Sequence, residues 1–399
     1  MKHYVKKGMG IALSIGVSSV ALASHSVSIA NLQAFTGPIE SLVVNMSLSA
    51  ELAATEASES GKFHEGATIN VVRGDSMCID ADAATAEAER LINSENVIGI
   101  MGPNCSGVTT AVVNNVTAPL GVVNISPSAT SPALSTIEDN GFFFRTAPSD
   151  ARQGEVLATI AMHKGISQVA VTHGNDDYGK GLADAFIASY TALGGEVTAS
   201  AAHEANKADY SADVAALSAA GSSTLAVFGY VEGGGTSVVT AALDTGAFDN
   251  FIFADGMIGD TLTNAGGALL NGSWGTMPGG GGAAADKWTA VGEAGGVAMG
   301  GPFLGESYDA MALIILAAQA ADSTDRAAIQ AQVMNVANAP GEKIYAGELG
   351  KALSLLATGT DIDYVGATSV EFNDVGEVKG SYEQKEIIDG SFTTVATHQ

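Results

Sequence analysis

Apolar positions in this chain come in short unbroken runs separated by longer amphipathic stretches. SIANLQAF is the first run, and a helical stretch from about Ile39 to Ser58 follows it. TINVVRG (Thr68 to Gly74), NVIGIMG (Asn96 to Gly102) and GVVNIS (Gly121 to Ser126) read as the next strands. Helices are predicted over Asp80 to Asn93, from Ser106, and from Ser131-Pro132, where Ser is a good N-cap and Pro a good first residue. The alternation continues through QVAVTHG, a helix from Tyr178, EVTASAA, a helix from Tyr210, TLAVFGY, a helix from Gly235, and NFIFADG. Strands apolar on both faces belong in parallel sheets covered by helices. About nine of them exceed what one small sheet carries. The pattern therefore predicts an α/β protein of two doubly wound parallel-sheet lobes.

FFFRTAP (Phe142 to Pro148) reads as a strand that crosses between the lobes. After Trp274 the pattern changes. PGGGGAAADKW reads as a flexible loop, followed by helices over Ser307 to Ala321, Thr324 to Ala337 and Gly347 to Ala357. SVEFN and SYEQKEIIDGSFTTVA read as closing strands. The predicted division puts residues 24–146 and 278–375 in an N-terminal lobe, and residues 147–277 and 376–399 in a C-terminal lobe. No repeat of 20–50 residues is found.

The N-terminus reads as an export signal. Lys2, Lys6 and Lys7 precede an apolar stretch from Met9 to Leu22, and Ala21-Leu22-Ala23 fits a cleavage site after Ala23. The stretch is short and rich in Gly and Ser for a membrane span. No Cys follows it to carry a lipid.

Charge narrows the function. The 399 residues hold 17 Lys+Arg against 43 Asp+Glu, a formal net charge of −26. That disfavours nucleic acid, whose phosphates need clustered bases, and docking on an anionic membrane. A hydrophobic content of 46% excludes wholesale disorder. Two Cys are too few for a disulfide-dense scaffold or a four-cysteine zinc site. The seven His are scattered, with no HExxH. No G-x-S-x-G elbow appears, and no GxGxxG follows the first strand. Gly279 to Gly282 lacks the Lys-Ser/Thr of a phosphate loop. Asn175-Asp176-Asp177 lacks the spacing of a calcium loop and reads as a solvated turn. No catalytic set, metal site or cofactor is predicted.

Ligands of open α/β sheets bind outside the carboxyl ends of the strands. Here those ends carry Ser106, Ser128, Thr130, Tyr178, Tyr230 and Asp255. Ser106 and Thr130 stand near helix starts, which favour a carboxylate. Asp255 can accept from an ammonium. Tyr178 and Tyr230 can cover a ligand while offering a hydroxyl. Each also has a plain structural reading as cap, turn or packing, but together they suit a small zwitterion. Phe35 in the first loop is a candidate for either the side-chain pocket or the core.

The segments CID, NVIGIMGPNCSG, VVNISPSATSPALS, FFFRTAPSDARQG and VAVTHGNDDYGKGLAD, in that order, resemble the periplasmic leucine/isoleucine/valine-binding proteins. These are type I solute-binding proteins of ATP-driven (ABC) importers. The resemblance implies a periplasmic monomer without cofactor or catalysis. It would close by a hinge on a neutral amino acid, aliphatic or branched, and deliver it to a membrane permease. It implies that Ser106 and Thr130 contact the carboxylate and that the Ser128 carbonyl takes the ammonium. Tyr178, Tyr230 and Asp255 would come from the other lobe. Asp255 stands where leucine-binding members usually carry Glu, one methylene longer. Ser128 replaces a small apolar residue, and its added hydroxyl favours a more polar ligand. The resemblance also implies a disulfide between Cys78 and Cys105, in keeping with an exported chain and contributing roughly 3.5 kcal/mol. The alternative function is an extracytoplasmic sensor of the same fold that binds an amide, urea or organic acid.

Overall fold

The computed structural model describes residues 26–399, besides Met1. The predicted export signal and its cleavage point lie outside the described residues. In chain order the first lobe opens with β1 (Ser26–Gln33), α1 (Glu40–Glu59), β2 (Thr68–Asp75), α2 (Ala81–Asn93) and β3 (Gly99–Met101). It continues with α3 (Ser106–Val112), a π turn (Val113–Thr117), α4 (Ala118–Leu120), β4 (Val123–Ser126) and β5 (Phe143–Arg145). The five strands are parallel in the order β2-β1-β3-β4-β5.

The second lobe runs α5 (Asp150–His163), β6 (Gln168–Gly174), α6 (Asp177–Ala192), β7 (Glu196–His203), α7 (Ser211–Ser218) and β8 (Thr224–Phe228). It goes on through α8 (Thr236–Thr245), β9 (Asn250–Phe253), α9 (Asp260–Gly266) and β10 (Trp274–Pro278). The chain then returns to the first lobe as α10 (Ala283–Ala294), α11 (Leu304–Ala321), α12 (Arg326–Ala337), β11 (Glu342–Tyr345), α13 (Leu349–Leu356) and β12 (Ile362–Gly366). It ends as the hairpin β13 (Tyr382–Ile388) and β14 (Ser391–His398) on the second sheet, whose order is β14-β13-β10-β9-β8-β6-β7. That sheet is parallel apart from the hairpin. This is the doubly wound, two-lobe type I architecture that the sequence predicts.

Three links, residues 146–149, 279–282 and 379–381, carry the chain between the sheets. The first lobe is centred on α11, whose residues Ala310–Ala318 are wholly buried. A helix apolar all round must be enclosed on every side, and α1, α12 and the sheet enclose it. A second apolar cluster is continuous across both lobes, from Leu32, Val43, Cys105 and Val108 to Tyr178, Leu182 and Tyr230.

Several elements depart from the expectation. The helix from Ser131 is only a 3-10 turn, Pro132–Thr136. Ser131 does cap it, accepting from the Ala133 N–H at 3.4 Å. The chain must then reverse through Asn140 and Gly141, both left-handed, to enter β5. SVEFN is not a strand. The Asn338 side chain serves both backbone groups of Phe372, at 2.7 and 2.9 Å, where a neighbouring strand would have done so. The predicted loop at PGGGGAAADKW turns into α10 from Ala283. β10, β11 and β12 are absent from the sequence reading; each is short, and its apolar run is broken by Gly and Pro in β10 and by charged residues in β11 and β12.

Cys78 and Cys105 form a disulfide, Cα to Cα 5.1 Å, as the resemblance implies. Beside it, Gly102 has φ +108°, and a Cβ there would fall 1.8 Å from the Leu32 carbonyl oxygen. Only glycine lets β1 and β3 approach so closely while the chain turns toward Asn104 and Cys105. No helix among the described residues is long and apolar enough to cross a membrane.

Candidate functional site

The lobes meet at the carboxyl ends of their strands. The turn after β3 holds Asn104, Cys105 and Ser106, and the turn after β4 holds Ser128, Ala129 and Thr130. Asn104 ties these turns together. Its side chain accepts from the Ala34 N–H at 2.8 Å and donates to Gln33 Oε1 and Ser128 Oγ, both at 3.2 Å. The Ser128 hydroxyl donates back to the Asn104 carbonyl at 3.1 Å. Ser126 Oγ accepts from the Ala129 N–H at 3.0 Å. Buried Arg145 donates to the carbonyls of Ala129 and Ser131 at 3.1 and 2.9 Å, with Glu377 as its ion-pair partner. The turns are thus held before any ligand arrives.

From the other lobe, Tyr178 is the second residue of α6, Tyr230 follows β8, and Asp255 opens a 3-10 turn after β9. The two Tyr rings stack, with centroids 5.0 Å apart. The Tyr178 hydroxyl accepts from the Gly256 N–H at 3.2 Å. Ser128, Tyr178, Tyr230 and Asp255 line one cavity between the lobes. Ser106 and Thr130 are buried and are not among the residues that line it. Ser106 Oγ accepts from the Ser131 N–H at 3.1 Å, while Thr130 Oγ1 is buried without a partner. Phe35 does not line the cavity; its ring lies under the Arg73 guanidinium at 5.3 Å. Ile39, Leu42, Met46 and Phe303 add an apolar lining. The cavity holds about 20 Å³, room for roughly one water. The lobes are therefore in contact around this cavity, and placing an amino acid in it would require them to part.

The residue missed by the sequence reading is Asp150, at the start of α5. It is fully buried, and both carboxyl oxygens are without hydrogen-bond partners, as is Asp255 Oδ1. Its backbone N–H donates to the Thr130 carbonyl at 2.8 Å. Burial pushes the Asp255 carboxyl up to about 6, against the pull of the Gln153 side chain and the Tyr178 hydroxyl. Burial, and then the charge of Asp255, push Asp150 well above the ordinary carboxylate range. Burial likewise raises Tyr178 and Tyr230, so both keep their protons. Two buried acids lacking partners form an electronegative pole that a cation satisfies. Sequence reading passes over Asp150 because an acid in the first turn of a helix is so common. Phe303, Leu42 and Met46 carry no signal beyond hydrophobicity.

Comparison with known proteins agrees with this architecture. Residues 26–347 match the family model described as periplasmic binding protein. The Leu/Ile/Val-binding protein homolog 1 of Brucella melitensis is 28% identical over 280 residues, covering 69% of this chain and 73% of the relative. The branched-chain amino acid transporter substrate-binding protein LivJ of Streptococcus pneumoniae, solved with isoleucine, superposes with TM-score 0.76. It is 21% identical, with 94% of this chain and 99% of that one covered. A solute-binding protein of an R. palustris ABC transporter, solved with 4-hydroxybenzoate, gives TM-score 0.75 at 17% identity, covering 94% and 97%. The chain belongs to the periplasmic binding protein family, a family of solute-binding proteins, and has the type I fold of its structural neighbours.

Proposed function

We propose that this periplasmic binding protein captures a neutral amino acid with an aliphatic or branched side chain and delivers it to the permease of an ABC importer. The observation that carries the reading is the polarity of the cleft. Asp255, which lines the cleft, and Asp150, buried near it, keep carboxyl oxygens without partners, and Ile39, Leu42, Met46 and Phe303 give the same cleft an apolar lining. An ammonium on the acids would satisfy both, and an aliphatic side chain would fill the apolar wall. The carboxylate would take the Ser106 and Thr130 hydroxyls and the amide protons of the turns bearing them. The Ser128 carbonyl would add an acceptor for the ammonium. Tyr178 and Tyr230 would close over the ligand as the lobes hinge about the three links. Residues 24–146 with 278–375, and 147–277 with 376–399, would be the moving bodies. The mature protein would act as an exported monomer, cleaved after Ala23, and would release its ligand chemically unchanged.

A second reading, capture of an organic acid for transport or for an extracytoplasmic sensor, is favoured by the neighbour solved with 4-hydroxybenzoate. It sets an anion without an ammonium beside two acids, which repel it. Calorimetry with leucine, isoleucine, valine and 4-hydroxybenzoate separates the two. The amino-acid reading expects saturable heat from at least one aliphatic amino acid and none from the benzoate. Heat from the benzoate alone would overturn it.

A further inference from the structure

On the hinge side of the closed cleft lies a second and larger cavity of about 410 Å³. All three links wall it, through Pro148, Gly280 and Ser381, and α10 and the first turn of α11 complete the enclosure. Phe303 is the partition, lining both this cavity and the small one that holds Asp255. Trp288 and Met277 add an aromatic and apolar surface. Glu306 lines the cavity with only 5% of its surface exposed. Among the described residues its carboxyl accepts from its own backbone N–H and from no other residue. Lys385 also lines the cavity, but it is held by Glu383 at 2.6 Å and Thr394 at 2.7 Å.

We propose that this cavity is a second ligand site, and that it takes a primary amine on a compact apolar body, with the ammonium on Glu306 and the body against Trp288 and Phe303. Its volume falls within the range of small-molecule sites. A buried carboxyl with no donor beyond its own backbone N–H is best satisfied by a charged one, and an ammonium gains further from aromatic faces. The site does not depend on the amino-acid reading of the cleft. Around Glu306 stand Asp309 on its own helix, Glu383 on β13, Asp255 after β9 and Asp286 on the lining face of α10, with Lys385 the nearby base. Burial, followed by the charges of Asp309, Glu383 and Asp255, pushes Glu306 up to about 8. At pH 7 an arriving ammonium therefore displaces a proton.

The experiment is calorimetry of the mature protein with phenethylamine, using phenethyl alcohol as the uncharged control. The expected result is one saturable amine site that persists in saturating leucine, and no binding of the alcohol. About one proton is released at pH 7, read from buffers of different ionisation heat. Glu306→Gln removes the group that ionises against the ammonium, and Ala285→Trp, from half-buried Ala285 on α10, fills the cavity. Each weakens the amine at least tenfold, while its melting curve shows that it folds. Absence of amine binding, equal binding of the alcohol, wild-type affinity in Glu306→Gln, or stoichiometric displacement by leucine would each overturn the proposal. Amine binding by a protein deaf to every amino acid would sustain it while removing the reading of the cleft.

Discussion

Asp255 would meet two environments under the proposed function, the empty cleft and one filled by a ligand. Its carboxyl is raised to about 6 in the empty cleft, against an ordinary value near 3.9. A carboxyl raised on folding binds its proton more tightly in the folded state, so stability falls as pH climbs from about 4 to about 6. Asp309, raised to about 6, acts over the same window, and Glu306 extends it to about 8. The unliganded protein should therefore melt at a higher temperature at pH 5 than at pH 8, which a pH series of thermal melts would check. A ligand ammonium reverses the preference, so amino-acid affinity should fall by up to about tenfold per pH unit below pH 6. Asp255→Asn tests the same group. It should raise the melting temperature of the empty protein by removing an uncompensated buried charge, and weaken amino-acid binding at least tenfold in calorimetry. Asp255 was legible in the sequence because it ends an apolar strand. Asp150 was not, since only the folded chain sets it behind Thr130 with neither oxygen engaged.

The turn after β3, proposed to meet the ligand carboxylate, draws its supports from distant parts of the chain. Replacing Cys78 and Cys105 together by Ala should cost about 3 kcal/mol in denaturant unfolding. It should also loosen ligand binding, since Cys105 directly precedes Ser106. Gly102→Ala should cost more than about 2 kcal/mol, because the new Cβ would meet backbone and the left-handed φ would be strained. The alternation of strands and helices through NFIFADG was readable because fully buried strands lack polar interruptions. The reading failed where a local signal was overruled by a tertiary partner. Ser131-Pro132 opens a helix correctly but must turn back after one turn. SVEFN has strand composition, yet Asn338 occupies its backbone.

For the whole molecule, the charge of −26 sets how the fold responds to salt. Among the described residues several bases pair with acids, as Arg73 does with Glu51 and Lys287 with Glu348, and the acids, far in excess, repel one another. The melting temperature should rise between very low ionic strength and about 0.5 M salt, where the Debye length is only a few Å; a temperature indifferent to salt would contradict this. Two lobes were legible from the number of strands, whereas their closed contact across Tyr178 and Tyr230 was not, since no sequence pattern fixes a hinge angle. Under the transport reading, Asp150 and Asp255 also govern what the permease meets. Shutting the lobes on nothing would bury two neighbouring carboxyls with no ligand ammonium between them, so at neutral pH closure of the unloaded carrier should be disfavoured relative to that of the loaded one. A permease that recognises only the shut shape is then seldom offered a vacant carrier, and futile ATP hydrolysis is held down by the same carboxyls that grip the cargo.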